Sequence, residues 1–265
     1  MMKRQALPLA GAVNVRDLGG LETFDHRRVR THRLLRADSL ANLTVADQEK
    51  LVAYGVTTVI DTRSQAEWRQ APDKLPEWIQ LTHIPLFDND ETESVQTIQR
   101  LNQFYASDAH NGYRRMLRVY RRLVLNAQPR QAYRQFFDLL TQDKPQTVVF
   151  HCTAGKDRTG LCALLLLGAL GVPISQIKQD YLRTNQYCLA RVVRRLIAAR
   201  DYQMNANFQS SVIDLSIASP DYFDQALTLI TGEFGSISNY LVDFVGVSAS
   251  VIRRLQQTYL TSELT

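Results

Sequence analysis

The chain alternates between short β-branched apolar runs and longer segments of helical period. Val56 to Asp61, Leu81 to Leu86 and Thr147-Val148-Val149-Phe150 read as buried strands. Residues 12–37 read as short strands, with a hairpin turn at Asp25-His26-Arg27-Arg28. Thr44 stands where an N-cap belongs, and Asp47 falls at the third helical position, which predicts a helix over 45–54. Further helices are predicted over 92–106, 112–126 and 129–142. Beyond the strand at 147–150 everything reads helical, with helices predicted over 173–188, 189–203, 219–232, 235–245 and 248–260. Mixed strands before a helical second half indicate an α/β fold, a central mixed sheet flanked by helices. No internal repeat or low-complexity linker divides the chain, so 1–265 reads as a single domain.

The break in this pattern is the most informative stretch. Between the 147–150 strand and the apolar run Leu161 to Val172 lies a polar loop, His151-Cys152-Thr153-Ala154-Gly155-Lys156-Asp157-Arg158-Thr159-Gly160. A strand–loop–helix of this kind aims consecutive backbone N–H groups at one point, and the helix N-terminus adds partial positive charge there. Thr153, Ala154, Gly155 and Lys156 would then cradle a tetrahedral oxyanion. The same field favours the thiolate of Cys152. Arg158 follows the cradle, and its planar fork can take two equatorial phosphate oxygens at once. The Thr159 hydroxyl is placed to hydrogen-bond the thiolate as it leaves, and His151 to orient the loop or support the thiolate. A nucleophile and an anion cradle in one loop point to phosphoryl transfer through a phosphocysteine. The competing reading is a buried core cysteine with an arginine nearby by chance.

Composition narrows the setting. The 265 residues are 45% hydrophobic and 22% charged, ordinary for a globular chain. Cys152, Cys162 and Cys188 show neither metal-like spacing nor an even disulfide framework, so neither metal nor cofactor is expected. A free thiol suits a reducing compartment. Pro8 and the polar Asn14-Val15-Arg16 interrupt any signal-peptide core, and Leu161 to Val172 is too short to span a bilayer. A cytoplasmic enzyme is therefore expected, with export by a route lacking a cleavable signal as the alternative. The formal charge of +5 and pI near 9.2 favour anionic partners, including an acidic membrane surface in peripheral contact. No nucleic-acid-binding motif is present.

The loop resembles the cysteine-dependent phosphatase signature, a His-Cys pair with an arginine five residues beyond the cysteine. Its fuller form, His-Cys-x-x-Gly-Lys-Asp-Arg-Thr-Gly, is similar to that of a bacterial branch of tyrosine phosphatases with broad specificity. Asn14-Val15-Arg16-Asp17-Leu18-Gly19-Gly20, Leu35-Arg36-Ala37-Asp38-Ser39-Leu40, Val59-Ile60-Asp61-Thr62-Arg63-Ser64 and Gly246-Val247-Ser248 resemble further motifs of the branch. The resemblance implies a cysteine-phosphatase fold and a phosphorylated protein or phosphoinositide as substrate, including phosphotyrosine, phosphoserine and phosphothreonine. It singles out Asp157 as the general acid; Asp88 and Asp90, just after the 81–86 strand, are the upstream candidates, with Asp88 as the alternative. Asp61 at its strand end is expected to order its loop through Arg63. Lipid phosphatases use a loop lysine for neighbouring ring phosphates, which suggests the same for Lys156; the other reading is a solvent-facing lysine that only deepens the positive potential. Relatives carry a helical lid, and the candidate segment is 90–126. Its arginines Arg114, Arg118, Arg121 and Arg122 share one helix face beside an apolar stripe of Tyr113, Leu117, Tyr120 and Val124, a pattern equally suited to an ordinary amphipathic helix. An arsenate reductase or sulfurtransferase on a similar loop, or a non-catalytic phospho-binding module, remains the alternative function class.

Overall fold

The computed structural model describes residues 6–93, 98, 101, 104–142 and 147–262. Five strands form one sheet: β1 (Arg16–Asp17), β2 (Leu34–Ala37), β3 (Thr58–Asp61), β4 (Gln80–His83) and β5 (Val148–His151), in the spatial order β1-β2-β5-β3-β4. Only β1 runs antiparallel to its neighbour; β2, β5, β3 and β4 are mutually parallel. The fold is therefore α/β with a mixed sheet, as the pattern of runs predicts.

β5 is the centre of the sheet, paired in parallel with β2 on one side and β3 on the other. Its side chains alternate between the two faces, as strand geometry requires. Val149 joins Leu35, Leu51 and Val59 in a small apolar cluster. Val148 and Phe150 join the main core with Leu34, Ile60 and the helices. Parallel sheets place their binding crevice beyond the carboxyl ends of the strands. The carboxyl end of β5 is where Cys152 stands.

The helices are α1 (Val45–Ala53), α2 (Gln65–Gln70), α3 (Phe104–Ser107), α4 (Asn111–Leu125), α5 (Ala127–Leu140), α6 (Arg158–Ala169), α7 (Ile174–Asp201), α8 (Ala206–Ser216), α9 (Pro220–Phe234), α10 (Ile237–Asn239) and α11 (Ala249–Tyr259). Thr44 caps α1 with Asp47 in the expected reciprocal box. α6 is buried along nearly its whole length, behind the loop.

Four expectations change. The helices expected over 173–188 and 189–203 are one 28-residue helix, α7, because no glycine or proline interrupts the segment. α2 lies outside the helices predicted from the pattern, although Ser64 and Glu67 spell a capping box. α8 also lies outside the predicted helices; its Asn205 cap and the buried Phe208, Val212 and Leu215 carry its signal. The helix expected over 235–245 is α10 followed by a π-helical turn, Tyr240–Val245, which ends at Gly246 with φ 84°. The helix expected over 92–106 is seen at Phe104–Ser107, and residues 94–97, 99, 100, 102 and 103 lie outside the described residues. No helix among the described residues is long and apolar enough to cross a membrane.

Candidate active site

β5 ends at His151, the loop runs from Cys152 to Asp157, and α6 begins at Arg158. The loop bends through Gly155, whose φ is 64°. A Cβ there would lie 2.4 Å from the Ala37 carbonyl oxygen and 2.7 Å from Asn14 Nδ2, so both the backbone conformation and the space require glycine. Asn14 Nδ2 donates to the carbonyls of Ala154 (3.0 Å) and Gly155 (3.2 Å), and Arg36 Nη2 donates to Gly155 O at 2.8 Å. The C=O and N–H of a trans peptide point opposite ways. Pinning these two carbonyls outward turns the Gly155 and Lys156 N–H groups toward the inside of the loop. α6 has no side-chain cap, so its first N–H groups are not taken by one.

Behind the loop lies a buried ionic frame. Asp180 of α7 accepts from Arg16 Nε at 2.9 Å and from Arg36 Nη1 at 2.7 Å, and Arg16 Nη1 donates to Asn14 Oδ1 at 2.5 Å. Burial alone would raise the Asp180 pKa; Arg16 and Arg36 outweigh it and hold the carboxylate far below its ordinary range. The motifs Asn14-Val15-Arg16 and Leu35-Arg36-Ala37 are thus the scaffold of the loop.

Arg158 is wholly buried and clamped by Glu67 of α2, with Nη1 to Oε2 at 2.6 Å and Nη2 to Oε1 at 2.8 Å. Thr153 Oγ1 donates to the same carboxylate at 2.5 Å. Burial would raise the Glu67 pKa, but Arg158 and Thr153 bring it down to about 2. Arg158 Nε and Thr159 Oγ1 are buried without a hydrogen-bond partner. The bond expected from Thr159 to the thiolate is therefore not formed in this structure.

Cys152 is only 2% exposed. Its neighbour His151 faces two acceptors, the Cys152 carbonyl 3.1 Å from Nδ1 and Asp73 Oδ2 3.0 Å from Nε2. Both ring nitrogens must donate, so the ring is an imidazolium. Burial would lower its pKa, but Asp73 and Asp61 outweigh that and raise it to about 9. Asp61, as expected, orders its loop through Arg63, with contacts of 2.9 Å to Nε and 2.7 Å to Nη2; Arg63 also reaches Asp73 at 3.0 Å. Donor atoms of Asp61, Asp73 and His151 lie within 4.8 Å of one another, a spacing that a metal ion could use. Arg63 and the His151 imidazolium already supply the cations there, so the cluster does not fit a metal.

The charged residues of the loop are more enclosed than expected. The Lys156 ammonium contacts Leu215 O (3.1 Å), Ile217 O (3.1 Å) and Asp157 Oδ1 (3.1 Å). These use all three of its N–H donors. Lys156, expected to meet substrate phosphates or solvent, is instead the buried tie between the loop and the C-terminal end of α8. Asp157 is buried, and its Oδ1 also accepts from Tyr120 Oη at 2.8 Å; Tyr120 Oη is in turn 2.7 Å from Tyr181 Oη. Asp88 is exposed, whereas Asp90 lies 3.9 Å from Arg158 Nη2 and Thr92 Oγ1 accepts from that nitrogen at 3.2 Å. Of the upstream aspartates, Asp90 rather than Asp88 reaches the loop.

The candidate covering segment 90–126 divides. Its first residues lie against Arg158. Its helix α4 instead packs into the helical layer through Met116, Val119, Tyr120, Leu123 and Val124, while Arg115 and Arg122 pair with Glu91. The second half of α7 also lies on the loop: Arg191 Nη1 donates to Thr153 O at 3.1 Å, and Cys188 Sγ to Ala154 O at 3.7 Å. Beside it opens a cleft of about 690 Å³, lined among others by Thr153, Glu67, Arg63, Asp38, Arg191 and Arg194.

Comparison with known proteins agrees with this geometry. The family model described as the tyrosine phosphatase family matches residues 7–261. A protein of Cupriavidus necator that carries the name tyrosine-protein phosphatase is 32% identical over 250 residues, 91% of this chain and 84% of that one. The triple specificity protein phosphatase PtpB of Mycobacterium tuberculosis is 28% identical over 278 residues, covering 95% of this chain and 98% of its own. A tyrosine-protein phosphatase of Nostoc commune is 32% identical over 155 residues, 58% of this chain and 48% of that one.

Proposed function

This chain belongs to the tyrosine phosphatase family and is a phosphatase enzyme, and from that premise we propose that it hydrolyses phosphomonoesters through a phosphocysteine on Cys152. The observation that carries the mechanism is the arrangement around one point: a buried thiol at the end of the central strand, loop carbonyls pinned outward, and an arginine fork held by Glu67.

The Cys152 thiolate attacks phosphorus, the S–P bond forms and the ester P–O bond breaks. The inward N–H groups and Arg158 stabilise the charge spread over the equatorial oxygens. The leaving oxygen takes a proton from Asp157, whose carboxyl Tyr120 holds in position, with Asp90 as the alternative acid. Water then attacks phosphorus, the same acid accepts its proton, the S–P bond breaks and inorganic phosphate departs. The His151 imidazolium, bonded to the Cys152 carbonyl, adds fixed positive charge next to the nucleophile.

Phosphotyrosine is the primary substrate in this reading, with phosphoserine, phosphothreonine and phosphoinositides beside it. The triple specificity named for PtpB supports the breadth. Three free thiols suit a reducing, cytoplasmic setting. The test is a phosphotyrosine peptide with the wild type and Cys152→Ser. Acid quenching of the wild type should trap phosphate on Cys152, and the serine variant should bind the peptide without turning it over. Turnover by Cys152→Ser would overturn the phosphocysteine.

A further inference from the structure

The second half of α7 has two faces with different tasks. Its inner face holds the loop through Cys188 and Arg191 and reaches the end of α8 through Arg195, which donates to Ser216 Oγ at 3.0 Å. Its outer face carries Leu189, Val193 and Ile197, which are 61%, 44% and 51% exposed and recur every fourth residue, so they form one stripe along the helix. Tyr202, 50% exposed, follows just beyond the helix. Single exposed apolar residues are ordinary, but a row of them on one helix face is not.

The charge beside this stripe is mainly positive, with Asp201 at the end of the helix as its one exposed carboxylate. Between Tyr181 and Arg200 the chain has five arginines, Arg183, Arg191, Arg194, Arg195 and Arg200, and neither aspartate nor glutamate. Arg194 and Arg200 are exposed alongside the stripe. An apolar stripe flanked by arginines is the pattern of a helix that lies in the plane of a lipid interface.

We propose that the outer face of α7 around Leu189, Val193 and Ile197 seats on an acidic lipid surface. The apolar side chains enter the boundary between headgroups and acyl chains, and Arg194 and Arg200 meet anionic headgroups. A helix is about 10 Å across. Docking therefore brings the loop that α7 holds on its other face to the level of the headgroup layer, with the cleft lined by Arg194 and Thr153 opening beside the helix. The docking itself does not depend on which phosphoester the loop hydrolyses.

The test is co-sedimentation of the full chain with vesicles of phosphatidylcholine and phosphatidylserine, and with phosphatidylcholine alone. Binding is expected to the mixed vesicles and to weaken with salt. Leu189→Ser/Val193→Ser/Ile197→Ser is expected to reduce it on the order of a hundredfold. Arg194→Gln/Arg200→Gln is expected to reduce it roughly thirtyfold. The three serine substitutions should not alter turnover of a soluble aryl phosphate, which shows that this variant folds; the arginine variant, whose Arg194 lines the cleft, is checked for folding by its urea midpoint. The proposal is overturned if the wild type ignores acidic vesicles, or if the triple serine variant binds them as well as the wild type does. It is also overturned if the wild type forms a dimer that the serine variant dissolves, which would give the stripe to a second copy. Loss of aryl phosphate turnover in the wild type would count against the phosphatase mechanism and leave the vesicle result standing.

Discussion

Glu67 holds Arg158 by both terminal nitrogens, at 2.6 and 2.8 Å, and the two residues lie 91 positions apart in the chain. The grip fixes the plane of the guanidinium and leaves its Nε without a protein partner. A fork fixed in advance loses no orientation when it meets a phosphate, which is how a preorganised site lowers a barrier. The carboxylate that does the fixing is itself fixed, by the Ser64 backbone N–H at 2.9 Å and by Thr153.

Glu67→Gln keeps the shape and removes the charge. It is expected to lower kcat about a hundredfold, since small misplacements of a positioning group cost that much. It should also destabilise the fold by about 3 kcal/mol, because the buried Arg158 keeps only Asp90, 3.9 Å away, as a counter-charge. Steady-state kinetics and urea unfolding check the two. A variant with wild-type kcat would show that Glu67 does not position the fork.

His151 predicts an alkaline loss of stability. Its pKa rises from an ordinary 6.5 to about 9 in the folded chain, through Asp73 and Asp61 and against the effect of burial. The stabilisation is therefore complete below pH 6.5 and is lost as pH rises through about 9. Its size is about 3 kcal/mol. The urea midpoint should fall across that window in the wild type and stay nearly level in His151→Asn. Equal slopes in both proteins would refute the assignment.

The parts of this protein that were legible in its sequence are those whose partners are local. The strand, loop and helix from Thr147 to Val172 declare themselves because apolar runs bracket one polar turn. Thr44 and Asp47 do so because a capping box spans four residues. The rest depends on contacts that no window contains. Asp180, which steadies Arg16 and Arg36, comes from α7, more than a hundred residues downstream of both. The enclosure of Lys156 could not be foreseen because its acceptors belong to the end of α8, a helix whose serines and asparagines disguised it. Glu67 carried a visible signal as the fourth residue of a capping box, but that signal speaks of a helix start and not of an arginine.

Lys156 offers a direct contrast between a substrate contact and a structural tie. Lys156→Met removes the donors to Leu215 O and Ile217 O and leaves two carbonyls short of a partner. The expected cost is about 2 to 3 kcal/mol of unfolding free energy. Turnover of an aryl phosphate and of a phosphoinositide should fall by similar factors, because the loop is loosened for both. A selective loss on the phosphoinositide, with stability unchanged, would restore the ammonium as a binding group for ring phosphates.

Tyr120 tests whether Asp157 moves the proton. The phenol donates to Asp157 Oδ1 at 2.8 Å and sits 2.7 Å from Tyr181 Oη, inside a buried group of rings that includes Tyr222. Tyr120→Phe keeps the ring and deletes the donor, so packing is nearly preserved while Asp157 loses its orientation. An alkyl phosphate such as phosphoserine has a poor leaving group and depends on the acid; an activated aryl ester hardly does. If Asp157 is the acid, Tyr120→Phe should slow phosphoserine turnover about tenfold and shift its pH profile, with little change on the aryl ester. Asp157→Ala should show the same selectivity on a larger scale, and Tyr120→Phe should add little to it, because the phenol acts through the carboxylate. Two results would move the proton elsewhere: equal losses on both esters, or full effects of Tyr120→Phe in the Asp157→Ala background. In that case Asp90, 3.9 Å from Arg158, is the group to substitute next.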